Sequence, residues 1–160
     1  MVENSPERQL AGFIAKFSPE VARVAKAARS KIRKLLPGAV ELVYDNYNAL
    51  AIAFSPTERT SEAILSIALY PRWVSLFFTR GRQLPDPQGL LRGSGSRFRH
   101  IVLESAAVLD RGPVLALVKA AVATHPQRIT AGSARTIIKA VSAKQRPRRP
   151  MERGGRPTRG

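Results

Sequence analysis

A chain of 160 residues, 44% of them apolar, is long enough for one domain with a real hydrophobic core. The absence of cysteine excludes disulfides, thiol chemistry and cysteine-ligated zinc or iron–sulfur centres. Lysine and arginine number 27 against 11 acidic residues, a net charge of +16 that favours polyanionic partners.

No apolar run approaches the roughly 18 residues of a membrane span. The N-terminal MVENSPERQL lacks the basic-then-apolar layout of a secretory signal. The expectation is a soluble, cytoplasmic protein with no membrane partner.

Ser5-Pro6-Glu7 predicts a first helix. Serine suits the N-cap, proline the first turn, and glutamate the positive helix end. Leu10, Phe13, Ile14 and Phe17 then recur at helical spacing. Ser18-Pro19-Glu20 repeats the signal for a second helix, with Val21, Val24, Ala25, Ala28, Ile32 and Leu35 as its buried stripe. Pro37-Gly38 stops it.

Strands follow at 40–44 and 49–54, joined by the turn residues Asp45-Asn46-Tyr47-Asn48. The segment 63–78, AILSIALYPRWVSLFF, reads as two strands meeting at Tyr70-Pro71-Arg72, because proline has no N–H to give a ladder. Leu65, Ile67 and Leu69, then Val74, Leu76 and Phe78, make one oily face. Tyr70, Trp73 and Phe77 fall on the other. A glycine-rich connection spans 81–95, and 98–103 is a further strand with Ile101 and Leu103 inward. A third helix is predicted over 113–123 with Leu115, Val118 and Val122 as its stripe, and 136–141 adds a strand at the sheet edge. From Lys144 the composition turns to Arg, Pro and Gly, which predicts a disordered tail over 144–160 beyond a domain at 1–143.

The predicted fold class is α+β: a two-layer sandwich whose antiparallel sheet of five or six strands is covered on one face by N- and C-terminal helices. The other face has Ala49, Ala51 and Ala53 as a low floor, with Tyr70, Trp73, Phe77, Phe98 and His100 around it. Such an aromatic-rimmed face suits a ligand, a partner protein, or a second copy in a homodimer.

Four segments carry a resemblance: VYDNYNALAIAF, SIALYPRWVSLFF, LPDPQGLLRGSGSRFRHIVL and IIKAVSAKQRPRR. They resemble the YdhG-like family of bacterial proteins, whose members are largely of unknown function, over about residues 13–149. The resemblance implies a helix-flanked antiparallel sheet of the kind described as frataxin-like. The family motif resembles L-x-G-x-G-K-x-x-R; Leu91, Gly93, Gly95 and Arg99 match it. Ser96 stands where the lysine often stands, and Arg97 beside it is the candidate replacement. The resemblance also implies iron as a cargo, since some members are described as iron chaperones. The residues speak against that role: eleven acids without an acidic ridge in the first helices, and two histidines, His100 and His125.

The candidate ligand-binding set is Tyr44, Tyr47, Tyr70, Trp73, Phe77, Gly93, Gly95, Arg97, Arg99 and His100. The tyrosines and tryptophan offer ring surface with a polar handle, and the Gly-rich loop offers converging N–H groups and charge for a small anion. Trp73 and Phe77 suit stacking on bases, although the RNP consensus of RNA-binding sheets is absent. Lys144, Arg146, Arg148 and Arg149 are candidates for nonspecific RNA or DNA contact through the tail. There is no P-loop, no dinucleotide fingerprint and no G-x-S-x-G elbow, so no catalytic constellation, metal site or bound cofactor is predicted. The expected function is a non-enzymatic binding domain.

Overall fold

Both predicted serine caps form in the computed structural model, which describes residues 5–150. Ser5 Oγ accepts from the Arg8 amide at 3.2 Å to start α1 (Pro6–Ala15). Ser18 Oγ accepts from the Val21 amide at 3.3 Å to start α2 (Pro19–Leu35). Leu10, Ile14 and Phe17, then Val21, Ala22, Ala25, Ala28 and Ile32, are buried; Phe13, Val24 and Leu35 pack against them partly buried. No helix of the described residues is long and apolar enough to cross a membrane.

The strands are β1 (Val40–Asp45), β2 (Leu50–Ser55), β3 (Leu65–Leu69), β4 (Val74–Phe78), β5 (Arg99–Leu103) and β6 (Arg135–Val141), with α3 (Gly112–Thr124) between the last two. They form one six-stranded sheet in the order β5-β4-β3-β2-β1-β6. Val43, Ile52, Ile67, Leu76 and Ile101 stand opposite one another across five strands and face the helices. Phe54, Leu65 and Phe78 fill the next row, fully buried. The α+β class and the side assignment of the central hairpin thus follow the alternation in the sequence.

Three details differ from the sequence reading. The sheet is mixed, because β6 lies parallel to β1. Chain direction explains this: β1 to β5 alternate, and a connection through α3 that crosses the whole sheet returns the chain in the direction of β5, which is that of β1. The buried stripe of α3 is Val114, Leu117, Val118 and Ala121, while Leu115 and Val122 are half-exposed. That helix, GPVLALVKAAVAT, is apolar nearly all round, so its periodicity does not single out a face.

The third difference is the tail. Residues 144–150 are held against the fold, while 151–160 lie outside the described residues. The Asp45 carbonyl accepts from the Ser142 amide and from Gln145 Nε2; the Tyr47 carbonyl accepts from the Arg146 amide. Arg149 Nε donates to the Lys16 carbonyl at the C-terminal end of α1. Arg148 is only 6% exposed and pairs with Asp45 at 2.8 Å. Arg148 is therefore withdrawn from any contact with nucleic acid, although Lys144 and Arg146 remain exposed.

A second polar network ties α1, α2 and β6 together. Arg29 Nη2 donates to Glu7 at 2.7 Å and Arg29 Nε to the buried Glu41 at 2.6 Å, while Thr136 Oγ1 donates to Glu7 at 2.7 Å. The Arg29 hydrogen bond is the main reason the Glu7 carboxyl sits below its ordinary value of 4.5, against an opposing push from burial. The folded value is therefore below the unfolded one, so the Glu7 contribution to stability is complete above about pH 4.5 and is lost as pH falls through the lowered folded value. Because Glu7 is more than half exposed, screening limits that contribution to about 0.5 kcal/mol. Urea unfolding should show wild type ahead of Glu7→Gln near neutral pH and level with it in strong acid. A gap of constant size at every pH would refute this account.

Candidate functional site

The sheet face turned away from the helices divides into a covered half and an open half. Around β1 and β2, Val40, Leu42, Ala53 and Ala63 form a second, small buried cluster. Tyr44 and Ile137 pack against it, and the Tyr44 hydroxyl is hydrogen-bonded to Thr60 Oγ1 in the short 3-10 turn Thr60–Glu62. The expected alanine floor is therefore partly closed: Ala53 is 6% exposed and Ala51 half-buried. Tyr44 belongs to this closure. Tyr47 is exposed at the β1–β2 turn, and its carbonyl anchors the amide of Arg146.

Around β3, β4 and β5 the face is open only at its rings and at Val102, since Ala68 is 6% and Ser75 2% exposed. The register places Ser66, Phe77 and His100 side by side on three adjacent strands. The Phe77 and His100 rings lie 5.2 Å apart, tilted by 38°. Two residues along, Ala68, Ser75 and Val102 form the next row, and Val102 is 42% exposed. At the hairpin end, the Tyr70 amide donates to the Trp73 carbonyl, and the two rings stack at 4.7 Å and 22°. Burial pushes the Tyr70 phenol up from its ordinary value. Trp73 is 43% and Phe98 49% exposed. Trp73 and Val102 also line a groove of about 800 Å³ together with Val21, Val24 and Ala27 of α2 and with Pro150.

The Gly-rich connection reaches this face by a route the sequence does not announce. Asp86 accepts from the Leu90 and Leu91 amides, both at 2.9 Å, which fixes the loop's first half. The chain then runs beside β5, where Arg92 and His100 exchange both backbone hydrogen bonds at 2.9 Å. Directly paired antiparallel residues share a face, so Arg92 joins the row after His100. Gly93, at φ 113°, turns the chain away; a side chain there is disfavoured by conformation rather than by crowding.

Sequence reasoning misses Arg92 and weights Arg97 and Arg99 instead. Arg97 is exposed, and its carbonyl accepts from the Arg82 amide. Arg99 is tied to its own loop: its Nη1 donates to the Gly95 carbonyl at 2.6 Å and the Phe98 carbonyl at 2.7 Å. Its stem also crosses Gly81 so closely that a Cβ there would lie 2.6 Å from Arg99 Cβ. Arg99 therefore holds the loop shut, and its reach toward an anion is curtailed.

The structure brings together Tyr70, Trp73, Phe77, His100 and Gly93, with Arg92 added, and leaves Tyr44 and Tyr47 elsewhere. Among the described residues no hydrogen bond joins the His100 ring to a serine or a carboxylate. Nor, among those residues, do three or more His, Asp or Glu side chains gather where a metal ion could be held. What the surface offers is flat ring area with cationic groups beside it. Comparison of the chain with protein-family models, with characterised proteins and with solved structures gives no match. The resemblance to the YdhG-like family therefore rests on the segments quoted above.

Proposed function

We propose that this protein is a non-enzymatic binding domain whose working surface is the open half of the sheet, and that its partner is anionic. One observation carries the reading: Arg92 is hydrogen-bonded beside His100 at the end of a row of half-exposed rings, on the face of β4 and β5 opposite the buried core. Rings on an uncovered face favour a partner with flat or apolar surface. The guanidinium and the overall charge of +16 favour negative charge on that partner. Among the described residues no hydrogen bond activates a nucleophile on this face, which favours binding over catalysis.

Trp73 is the chain's one tryptophan and stands on this face, so its fluorescence reports occupancy directly. Titration with polyglutamate or with an oligonucleotide should change Trp73 emission, with the midpoint moving to higher concentration as salt is added. Arg92→Ala should weaken the response by about fivefold, and Arg8→Ala, on α1 beside β6 at the opposite edge of the sheet, should leave it unaltered. Emission indifferent to every polyanion would overturn the reading.

A further inference from the structure

We infer that the anionic partner is single-stranded nucleic acid, laid across the β4–β5 edge with its bases on the exposed rings; this rests on the binding face proposed above. Two ring pairs stand on one face of one antiparallel edge, Tyr70 with Trp73 and Phe77 with His100. Trp73, the residue before β4, and Phe77 on β4 are four residues apart, which spaces them by about 14 Å along the strand direction. Val102, exposed on β5 opposite Ser75, offers apolar surface between them. Phe98, 49% exposed, extends the same strip past His100. Every base has a π-face, so a line of rings holds successive bases without demanding a sequence. A duplex hides those faces in its own stack, and a flat sheet cannot reach them there.

Charge supplies the second half of the argument. Residues 63–103 contain six arginines and one acid, Asp86. Both Asp86 oxygens are already taken by the Leu90 and Leu91 amides. Arg92 lies in the ring row, Arg72 in the turn beside Trp73, and Arg97 is exposed next to Phe98. Cations thus flank the ring strip at the hairpin end and at the loop end, where a strand's phosphates would run. Two acids line the groove beside Trp73, Glu20 on α2 and Glu104 beyond the end of β5, so the arginines at the loop end carry more of the attraction than Arg72. Acidic protein segments would answer to the arginines but would leave the ring strip without stacking partners, which is why nucleic acid is the class favoured.

The test uses the full chain and a fluorescently labelled oligothymidylate of about a dozen nucleotides, a length suited to a single-domain platform. Anisotropy titrations should show the single strand bound more tightly than its duplex with oligoadenylate. Trp73→Ala and Phe77→Ala should each weaken single-strand binding about tenfold, while Phe77→Tyr keeps most of it. Circular dichroism melts of each variant separate lost contact from lost fold. Single strand and duplex bound equally, with both ring variants silent, would reduce the effect to nonspecific charge and overturn the inference. Polyglutamate quenching Trp73 while the oligonucleotide does not would also overturn it, yet leave the binding face standing. No response of Trp73 to either probe removes the face and the nucleic-acid assignment together.

Discussion

Replacing Arg148 with alanine is expected to cost about 3–5 kcal/mol of folding stability, because it leaves a carboxylate buried without its partner. Asp45 ends β1 on the helix side of the sheet and is 0% exposed. Arg148 Nη2 reaches its Oδ1 at 2.8 Å and the Asn46 carbonyl at 2.6 Å, and the guanidinium lies 5.4 Å from the centre of the buried Phe17 ring. Lys16 is the other cation near Asp45, at 3.8 Å from Oδ2, and it is half-exposed. Among the described residues Asp45 Oδ2 and Arg148 Nε lack hydrogen-bond partners, so little is on hand to replace a lost guanidinium. In a chain of this size the loss corresponds to a drop of about 10 °C or more in Tm. Asp45→Leu combined with Arg148→Met should recover most of it, since an apolar pair of similar volume removes both charges at once. Arg148→Ala melting within a degree of wild type would show that the pair of Arg148 with Asp45 adds nothing to the fold.

The same contact decides how the basic C-terminus is to be cut. Removal of everything after Ala143 takes away Arg148, Arg149 and the Gln145 and Arg146 contacts to the β1–β2 turn. Lost nucleic-acid binding in that truncation would report unfolding as readily as lost phosphate contacts. Removal after Pro150 leaves those contacts intact, and it isolates the charge of Arg153, Arg156 and Arg159.

Arg148 also marks where the sequence stops being legible. Caps and alternation are local properties, so Ser5, Ser18 and the oily faces of β1 to β5 can be read from neighbours in the chain. Arg148 sits in QRPRRP, a composition that ordinarily stays solvated, and its burial depends on Asp45, 103 residues earlier. Arg92 fails for a related reason. Its place in the ring row comes from a single bridge to His100, and no periodicity in a Gly-rich loop encodes that pairing. Trp73 and Phe77 were legible because a strand's two-residue period assigns their face without any distant contact. The covering of the β1–β2 half was not, since it depends on where the loop 56–63 settles.

Glu41→Ala should be the second most damaging of the substitutions considered, at about 3 kcal/mol. Glu41 stands on β1 facing the helices, 3% exposed, with Arg29 Nε at 2.6 Å and Arg33 Nε at 3.1 Å. The two arginines differ in what they lose. Arg29 has a side chain only 14% exposed and keeps Glu7 when Glu41 is gone, so part of its charge remains compensated. Arg33 is half-exposed and turns to water at small cost. This makes the Glu41 penalty smaller than that of Arg148, and it predicts unequal couplings. A double-mutant cycle of Glu41 with Arg29 should give at least twice the coupling found with Arg33. Both are measurable from urea midpoints followed by far-ultraviolet circular dichroism. Equal couplings, or a Glu41→Ala variant as stable as wild type, would mean that β1 is anchored to α2 by apolar packing alone, with the ion pairs adding no net stability.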